Sequence, residues 1–330
     1  MAMSKEKMSV PKALVDFINK YSIIAILGHK EPDGDCIGSS LALSFFLKRL
    51  KKTPILLSDG PFKRTEILQY ASLFSTKIPQ EYKNKDDVAA IVVDCSSIER
   101  VGAIQDEIEG MEVAFIDHHA TNDVISPIAF IDGSAPAAAC LVQDLIENMT
   151  GSVEKDEAYF LLFGICTDTG FFRHLDENSE HTFSRVSRLV AKGVSPKTIF
   201  AQINGNKSLA SRLLMGETLS RLRLYYNGSL AISWQTREDF IKYGLEGRDT
   251  DTTYMLLQAI KGVEAIVLIK EEDDGCSIGF RSLDRIDVSI IAKQFGGGGH
   301  KLASGAYVTN TSYKDLIKKI IEAFKPSMTV

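Results

Sequence analysis

The sequence predicts an α/β protein with an N-terminal parallel-sheet domain, a helical connector and a smaller α/β domain at the C-terminal end. Three observations predict it. The chain has 330 residues, more than a single core usually holds. In its first half, short apolar runs alternate with stretches of helical spacing, as in βα units of a parallel sheet. Three of those runs end at a side chain able to bind metal, and open parallel sheets take ligands outside the carboxyl ends of their strands.

Taken in order, Ile23 to Leu27 is short and apolar and reads as a buried strand. It enters Gly28-His29-Lys30-Glu31-Pro32-Asp33-Gly34-Asp35, where Pro and Gly set a tight loop. A helix is expected from about Cys36 to Lys52, with a basic end that suits the helix dipole. Strands follow at Pro54–Leu57, at Ala89–Val93 ending on Asp94, at Glu112–Ile116 ending on Asp117, and at Ile128–Ile131. Helices are expected at Ala137–Met149, from Lys155 to Asp168, and at Ser179–Lys192. The expected domains are residues 1–195, a connector of 196–224 and a second domain of 225–330. In the latter, strands at Leu230–Trp234, Ala265–Ile269 and Ser277–Phe280 surround a helix at 251–261. A short helix from Asp287 to Phe295 then meets Gly296-Gly297-Gly298-Gly299-His300.

Composition bounds the function. Hydrophobic residues make up 45% and charged residues 25%, as in ordinary globular proteins. A net charge of −5 offers no general basic surface for long nucleic acid. Small anions stay open as substrates, because a metal cluster or a local arginine patch can supply positive charge. No apolar stretch approaches a membrane span, and MAMSKEKMSVPK lacks the apolar core of a secretory signal. The five cysteines are widely spaced with no CxxC pair, so a reduced, cytoplasmic protein is expected. Cys36, Cys95 and Cys166 can be read as soft ligands or redox switches, but read better as small apolar residues that support neighbouring loops.

The chemistry concentrates at the strand ends. Asp117-His118-His119 closes an apolar run, where three polar groups are costly to bury without a partner. His29 and Asp94 also fall just past strand ends, Asp33 and Asp35 lie in the loop that follows His29, and Asp168 closes an apolar helix. Asp33 and Asp35 can also be read as an Asp-Gly turn capping the next helix. Oxygen ligands mixed with imidazole suit Mn²⁺, Mg²⁺, Fe²⁺ or Co²⁺ better than structural Zn²⁺. A single ion would leave several carboxylates repelling one another. Two ions roughly 3.5–4 Å apart use them all, and such pairs activate water and clamp a phosphoryl group. The glycine run can expose backbone N–H groups to an anion, and Arg281 offers a fork suited to phosphate.

With these residues in place, the chain resembles the DHH phosphoesterase superfamily, in its two-domain branch with a DHH-associated C-terminal domain. The resemblance rests on His29-x3-Asp33-x-Asp35, Asp94, Asp117-His118-His119, Asp168 in Thr-Asp-Thr-Gly, and Arg281-Ser282 with Gly-Gly-Gly-Gly-His. It spans nearly the whole chain and is strongest to the nanoRNase/PAP phosphatase group. It implies a first Mn²⁺ held by His29, Asp33 and Asp94, and a second held by Asp35, Asp94, His118 and Asp168, with Mg²⁺ or Co²⁺ as alternatives. It sets His119 near the scissile phosphate and makes Asp117 a partner that orients a histidine. Arg281, Ser282, Gly297, Gly298, Gly299 and His300 are implied to bind the substrate's far end, with Arg173 as a further phosphate contact. Ala303-Ser304-Gly305 replaces the family's usual Ala-Ala-Gly, which bears on substrate preference.

The implied reaction is hydrolysis of very short oligoribonucleotides or linear dinucleotides such as pApA to mononucleotides, with 3′-phosphoadenosine 5′-phosphate as another substrate. The rivals are a cyclic-di-AMP phosphodiesterase, a pyrophosphatase or exopolyphosphatase, which the glycine–histidine motif disfavours, and a non-catalytic nucleotide-binding module. The last predicts a broken ligand set, whereas every expected ligand is present. The expected partners are short RNA or dinucleotides, with no long nucleic acid and no membrane, and the resemblance leaves room for a homodimer.

Overall fold

A computed structural model describes residues 9–83, 86–95, 97–119, 126–177, 179–205, 207–244 and 249–328. They divide into two compact units, Met1–Asn206 and Lys207–Val330. Among the described residues no helix is long and apolar enough to cross a membrane.

The first unit runs α1 (Lys12–Lys20), β1 (Ile23–Leu27), α2 (Gly34–Arg49), β2 (Thr53–Leu57), β3 (Val88–Val93), β4 (Val113–Asp117), β5 (Ala129–Ile131), α3 (Ala138–Thr150), α4 (Lys155–Asp168), α5 (Glu180–Ala191) and α6 (Pro196–Asn204). Its five strands are all parallel, in the order β2-β1-β3-β4-β5. The unbroken apolar runs have a simple cause. Ile24, Ile26, Ala89, Ile91 and Val93 enter the core with α2, α3 and α4, while Ala25, Leu27, Ala90 and Val92 meet Val101, Ile104 and Ile108. Central strands covered on both faces have no polar side to alternate with.

Glycines bring α2 and α4 unusually close. A Cβ on Gly38 would fall 2.6 Å from the Phe160 carbonyl, and one on Gly34 would fall 2.4 Å from the Thr167 side chain. This approach carries the end of α4, with Asp168, up to the first turn of α2.

The second unit holds α7 (Leu209–Ser220), β6 (Arg223–Tyr225), β7 (Leu230–Gln235), α8 (Arg237–Tyr243), α9 (Thr250–Gln258), β8 (Ala265–Glu271), β9 (Gly275–Ser282), α10 (Val288–Lys293), β10 (Gly298–His300), β11 (Ala303–Thr309) and α11 (Tyr313–Met328). Its six-stranded sheet has the order β10-β11-β9-β8-β7-β6, with only β7 and β8 parallel. One face packs Ile232, Val267, Ile278 and Phe280 against α10 and α11 through Val288, Ile291, Leu316, Ile320 and Phe324. On the other, Tyr254 and Leu257 of α9 cover Ala231, Ile266 and Leu268.

Two regions differ from their sequence expectation. The stretch 196–224, expected as a connector, is shared between the units. Ile199 of α6 joins the first core, Leu214 of α7 is fully buried in the second unit, and β6 pairs with β7. Each helix carries its own apolar contact, so neither is a free spacer. The glycine run, given no secondary structure from the sequence, enters a strand. Gly297 donates its N–H to the Ala292 carbonyl at 2.9 Å, and β10 then pairs with β11 from Gly298↔Gly305 to His300↔Ala303. A Cβ on Gly297 would lie 2.1 Å from the Gly305 carbonyl, so glycine is required there for the strands to meet.

Candidate metal centre

The first unit gathers every metal-competent residue singled out in the sequence. His29 follows β1, Asp94 follows β3, Asp117 ends β4, and His118 and His119 come just after it. Asp33 and Asp35 open α2, and Asp168 ends α4.

Asp94 stands at the centre. Its Oδ2 is 3.6 Å from Nε2 of His29 and its Oδ1 is 3.4 Å from Nε2 of His118, so each oxygen faces a different imidazole. Its backbone is left-handed, φ 53°, and its N–H bonds the Ile116 carbonyl at 2.9 Å. Asp tolerates that conformation better than most residues.

Asp33 caps α2 and also faces His29. Its Oδ1 caps α2 by accepting the N–H groups of Asp35 and Cys36, at 3.0 and 3.1 Å, while Oδ2 lies 3.9 Å from Nε2 of His29. Asp35 is 1% exposed and accepts the N–H groups of Ala138 and Ala139, at 2.6 and 3.0 Å. The N-terminus of α3 thus holds a buried carboxylate, a placement that the dipole and free N–H groups favour. Nothing near Asp35 in the sequence signals this contact.

His118 turns Nδ1 to the Ala135 carbonyl at 3.2 Å and Nε2 to Asp94 and to Asp168, the latter at 3.6 Å. His119 sets Nδ1 2.7 Å from Asp117, which is fully buried. A backbone or carboxylate acceptor on one ring nitrogen is how a metal-binding histidine is oriented.

The electrostatics show surplus negative charge. Burial and then the charges of Asp94 and Asp168 push Asp35 well above the usual carboxylate range. Burial, with Asp94 and Asp33, pushes Asp168 up to about 6, against the opposing pull of His118. Burial opposes charge on His29, but hydrogen bonds and charges from Asp33 and Asp94 outweigh it and push the imidazole up to about 10. His118 behaves alike, pushed up to about 10 by Asp94, Asp35 and Asp168 against burial.

These shifts fit a pair of cations. Ligand atoms within 4.8 Å of one another occur in His29–Cys36–Asp94, in Asp94–His118–His119 and in Asp35–His118–Asp168. Two of the groups share Asp94 and two share His118, an arrangement suited to adjacent ions.

The second unit contains a cavity of about 480 Å³, nucleotide-sized by the range ligand sites occupy. Arg281, Gly298 and Gly299 line it, together with Tyr254, Lys270 and Gly305. Gly298, Gly305 and Gly279 pair in one row across three strands, and the Tyr254 hydroxyl fills the space above Gly279, 2.0 Å from where a Cβ would stand. The Arg281 guanidinium lies 4.5 Å from the centre of the Tyr254 ring. A lone tyrosine in a helix reads as core, so no sequence signal marks this partner. Ser282 and Gly297 are not among the lining residues. Ser282 is buried and its hydroxyl has no hydrogen-bond partner among the described residues. His300 is exposed at the end of β10. Arg173 is exposed in the first unit, its Nε donating to the Gly170 carbonyl at 2.8 Å.

Comparison with known proteins agrees with this layout. Residues 23–165 match the DHH family, N-terminal domain, and residues 229–326 match the DHHA1 domain. A bifunctional oligoribonuclease and PAP phosphatase of Thermus thermophilus is 30% identical over 311 residues, 93% of this chain and 90% of that one. A cyclic-di-AMP phosphodiesterase of Geobacillus thermodenitrificans is 26% identical over 95% of this chain but 49% of its own. An exopolyphosphatase-related protein of Bacteroides fragilis shares the fold, with a TM-score of 0.83 at 23% identity over 99% of this chain and 100% of that one. The family match, the relative aligned along nearly the full length and the parallel sheet with its strand-end donors agree: the chain belongs to the DHH family and carries a DHHA1 domain in its second unit.

Proposed function

We propose that this protein is a metal-dependent phosphoesterase that hydrolyses very short oligoribonucleotides and linear dinucleotides such as pApA to mononucleotides, and removes the 3′-phosphate of 3′-phosphoadenosine 5′-phosphate. The observation that carries this reading is the division of the two Asp94 oxygens between His29 and His118. One divalent ion is assigned to His29, Asp33 and Asp94, and the other to Asp35, Asp94, His118 and Asp168. When bound, such a pair lowers the pKa of water and offsets charge on phosphoryl oxygens. Mn²⁺ suits these oxygen and imidazole donors.

The chain's own groups do the rest. Asp117 accepts from Nδ1 of His119 and so leaves Nε2 to face the phosphate. Arg281, with its planar fork set over the Tyr254 ring, holds a phosphate or base at the substrate's other end. Support for the substrate class comes from the Thermus thermophilus relative named for these two activities and from a chain with a net charge of −5.

The test is a Mn²⁺ activity panel of pApA, longer RNAs, 3′-phosphoadenosine 5′-phosphate and cyclic-di-AMP, with product lengths resolved. Mononucleotides from pApA in preference to long RNA support the proposal, and equal cleavage at all lengths overturns it. Faster turnover of cyclic-di-AMP would favour the second reading, a cyclic-di-AMP phosphodiesterase, which the Geobacillus thermodenitrificans relative motivates.

A further inference from the structure

Cys36 lies in the first turn of α2, directly after Asp35, and the sequence alone favours packing over a soft-ligand role. The structure gives it a different neighbourhood. Its ligand atom, with those of His29 and Asp94, forms a group in which all lie within 4.8 Å of one another. Donors bound to a common ion at roughly 2.0–2.3 Å stand about 3–4.5 Å apart. An ion drawn between His29 and Asp94 therefore comes within reach of the sulfur.

Two further observations point the same way. A Cβ on Gly28 would fall 2.2 Å from Cys36 Sγ, so the missing side chain beside His29 is the slot that the sulfur fills. Of the other thiols, Cys95 Sγ donates to the Ser97 carbonyl at 3.0 Å and Cys276 Sγ to that of Thr311 at 3.5 Å, while Cys140 and Cys166 lie in the apolar core. Cys36 is 2% exposed, unbridged, and its sulfur has no hydrogen-bond partner among the described residues.

We propose that Cys36 is a direct ligand of the ion held by His29 and Asp94, making this half of the centre a mixed sulfur, nitrogen and oxygen site that prefers Co²⁺ or Zn²⁺ to Mg²⁺. Thiolate is the soft donor that selects such ions, and ligation releases the thiol proton to water. The other half of the centre, Asp35, His118 and Asp168, offers only oxygen and nitrogen. The two positions thus differ in the metals they favour. The inference rests on the metal-binding reading of the centre.

The experiment is spectroscopic and uses the full-length protein titrated with Co²⁺. Cobalt binding itself is followed by visible d–d bands and by equilibrium dialysis. Ligation by Cys36 is read from the intense near-ultraviolet sulfur-to-cobalt charge-transfer band. The proposal expects that band in the wild type and in Cys140→Ser, and its loss in Cys36→Ser and Cys36→Ala. It also expects Zn²⁺ affinity in both Cys36 variants to fall by about tenfold or more, the scale of a perturbed metal shell. Cobalt bound without the band, or a band that survives in both variants, overturns the role of Cys36 and leaves the metal centre standing. Failure to bind Co²⁺, Zn²⁺ or Mn²⁺ at all overturns both.

Discussion

Asp117 and His119 are joined through one carboxylate oxygen, which stands 2.7 Å from His119 Nδ1 and also accepts the His118 backbone N–H at 2.8 Å. Asp117 is fully buried, so this oxygen fixes the peptide that carries both histidines and the ring of the second. An ionised carboxylate only accepts, which makes Nδ1 the donor and leaves Nε2 available. Asp117→Asn keeps the size but replaces part of that acceptor with an amide. The expected loss in kcat on pApA is about 10–100-fold, the usual cost of disturbing such an orienting partner. Steady-state hydrolysis in Mn²⁺ checks it, and an unchanged kcat would remove Asp117 from the mechanism.

Asp94→Asn is expected to be more severe. Asparagine also tolerates the left-handed backbone at φ 53°, so the loop keeps its path and the charge alone is removed. Losing the bridge should reduce bound Mn²⁺ and lower activity by about 10³-fold, equivalent to several kcal/mol of charge stabilisation. Titration calorimetry with Mn²⁺ and hydrolysis assays measure the two effects, and chelation of the wild type should reproduce the second reversibly.

Arg281→Ala removes the fork above Tyr254 but leaves the strand-end donors of the first unit in place. A charged hydrogen bond lost from substrate is worth about 1.5–3 kcal/mol, so KM for pApA should rise about 10–100-fold. The kcat value should change far less. A loss confined to kcat would place Arg281 elsewhere in the mechanism.

Arg185 and Asp144 form a buried two-pronged pair at 2.6 and 3.2 Å, tying α5 to α3 away from the metal-competent groups. Removing Arg185 strips a buried carboxylate of its two-pronged cation, so Arg185→Ala should cost about 3–5 kcal/mol of stability. The denaturant midpoint reports it, while activity per folded molecule stays near that of the wild type.

Asp239 supplies a pH signature in the second unit. Burial alone would raise this carboxyl, but Arg221 and the Thr236 N–H outweigh it and hold it below the usual range. A folded value below the unfolded value of about 3.9 means the contribution is complete above that pH and is lost as pH falls through the folded value. Urea midpoints between about pH 3 and 6 should therefore slope less in Asp239→Asn than in the wild type.

By itself the sequence determined the strands of the first unit, because Ile23 to Leu27 and Val88 to Val93 are covered on both faces and cannot contain polar residues. It also determined which donors crowd the strand ends, since His29, Asp94 and Asp117 each interrupt an apolar run. Local pattern carries that information. What pattern could not reach was contact between residues distant along the chain. Packing alone decided that Asp35 meets the N-terminus of α3, because glycines let α2 and α4 come together beside it. Packing likewise divided residues 196–224 between two cores, closed the glycine run into a hairpin, and set Tyr254 under Arg281. It also put the sulfur of Cys36 beside His29 and Asp94, where the space left by Gly28, and not the neighbouring sequence, decides what the thiol can touch.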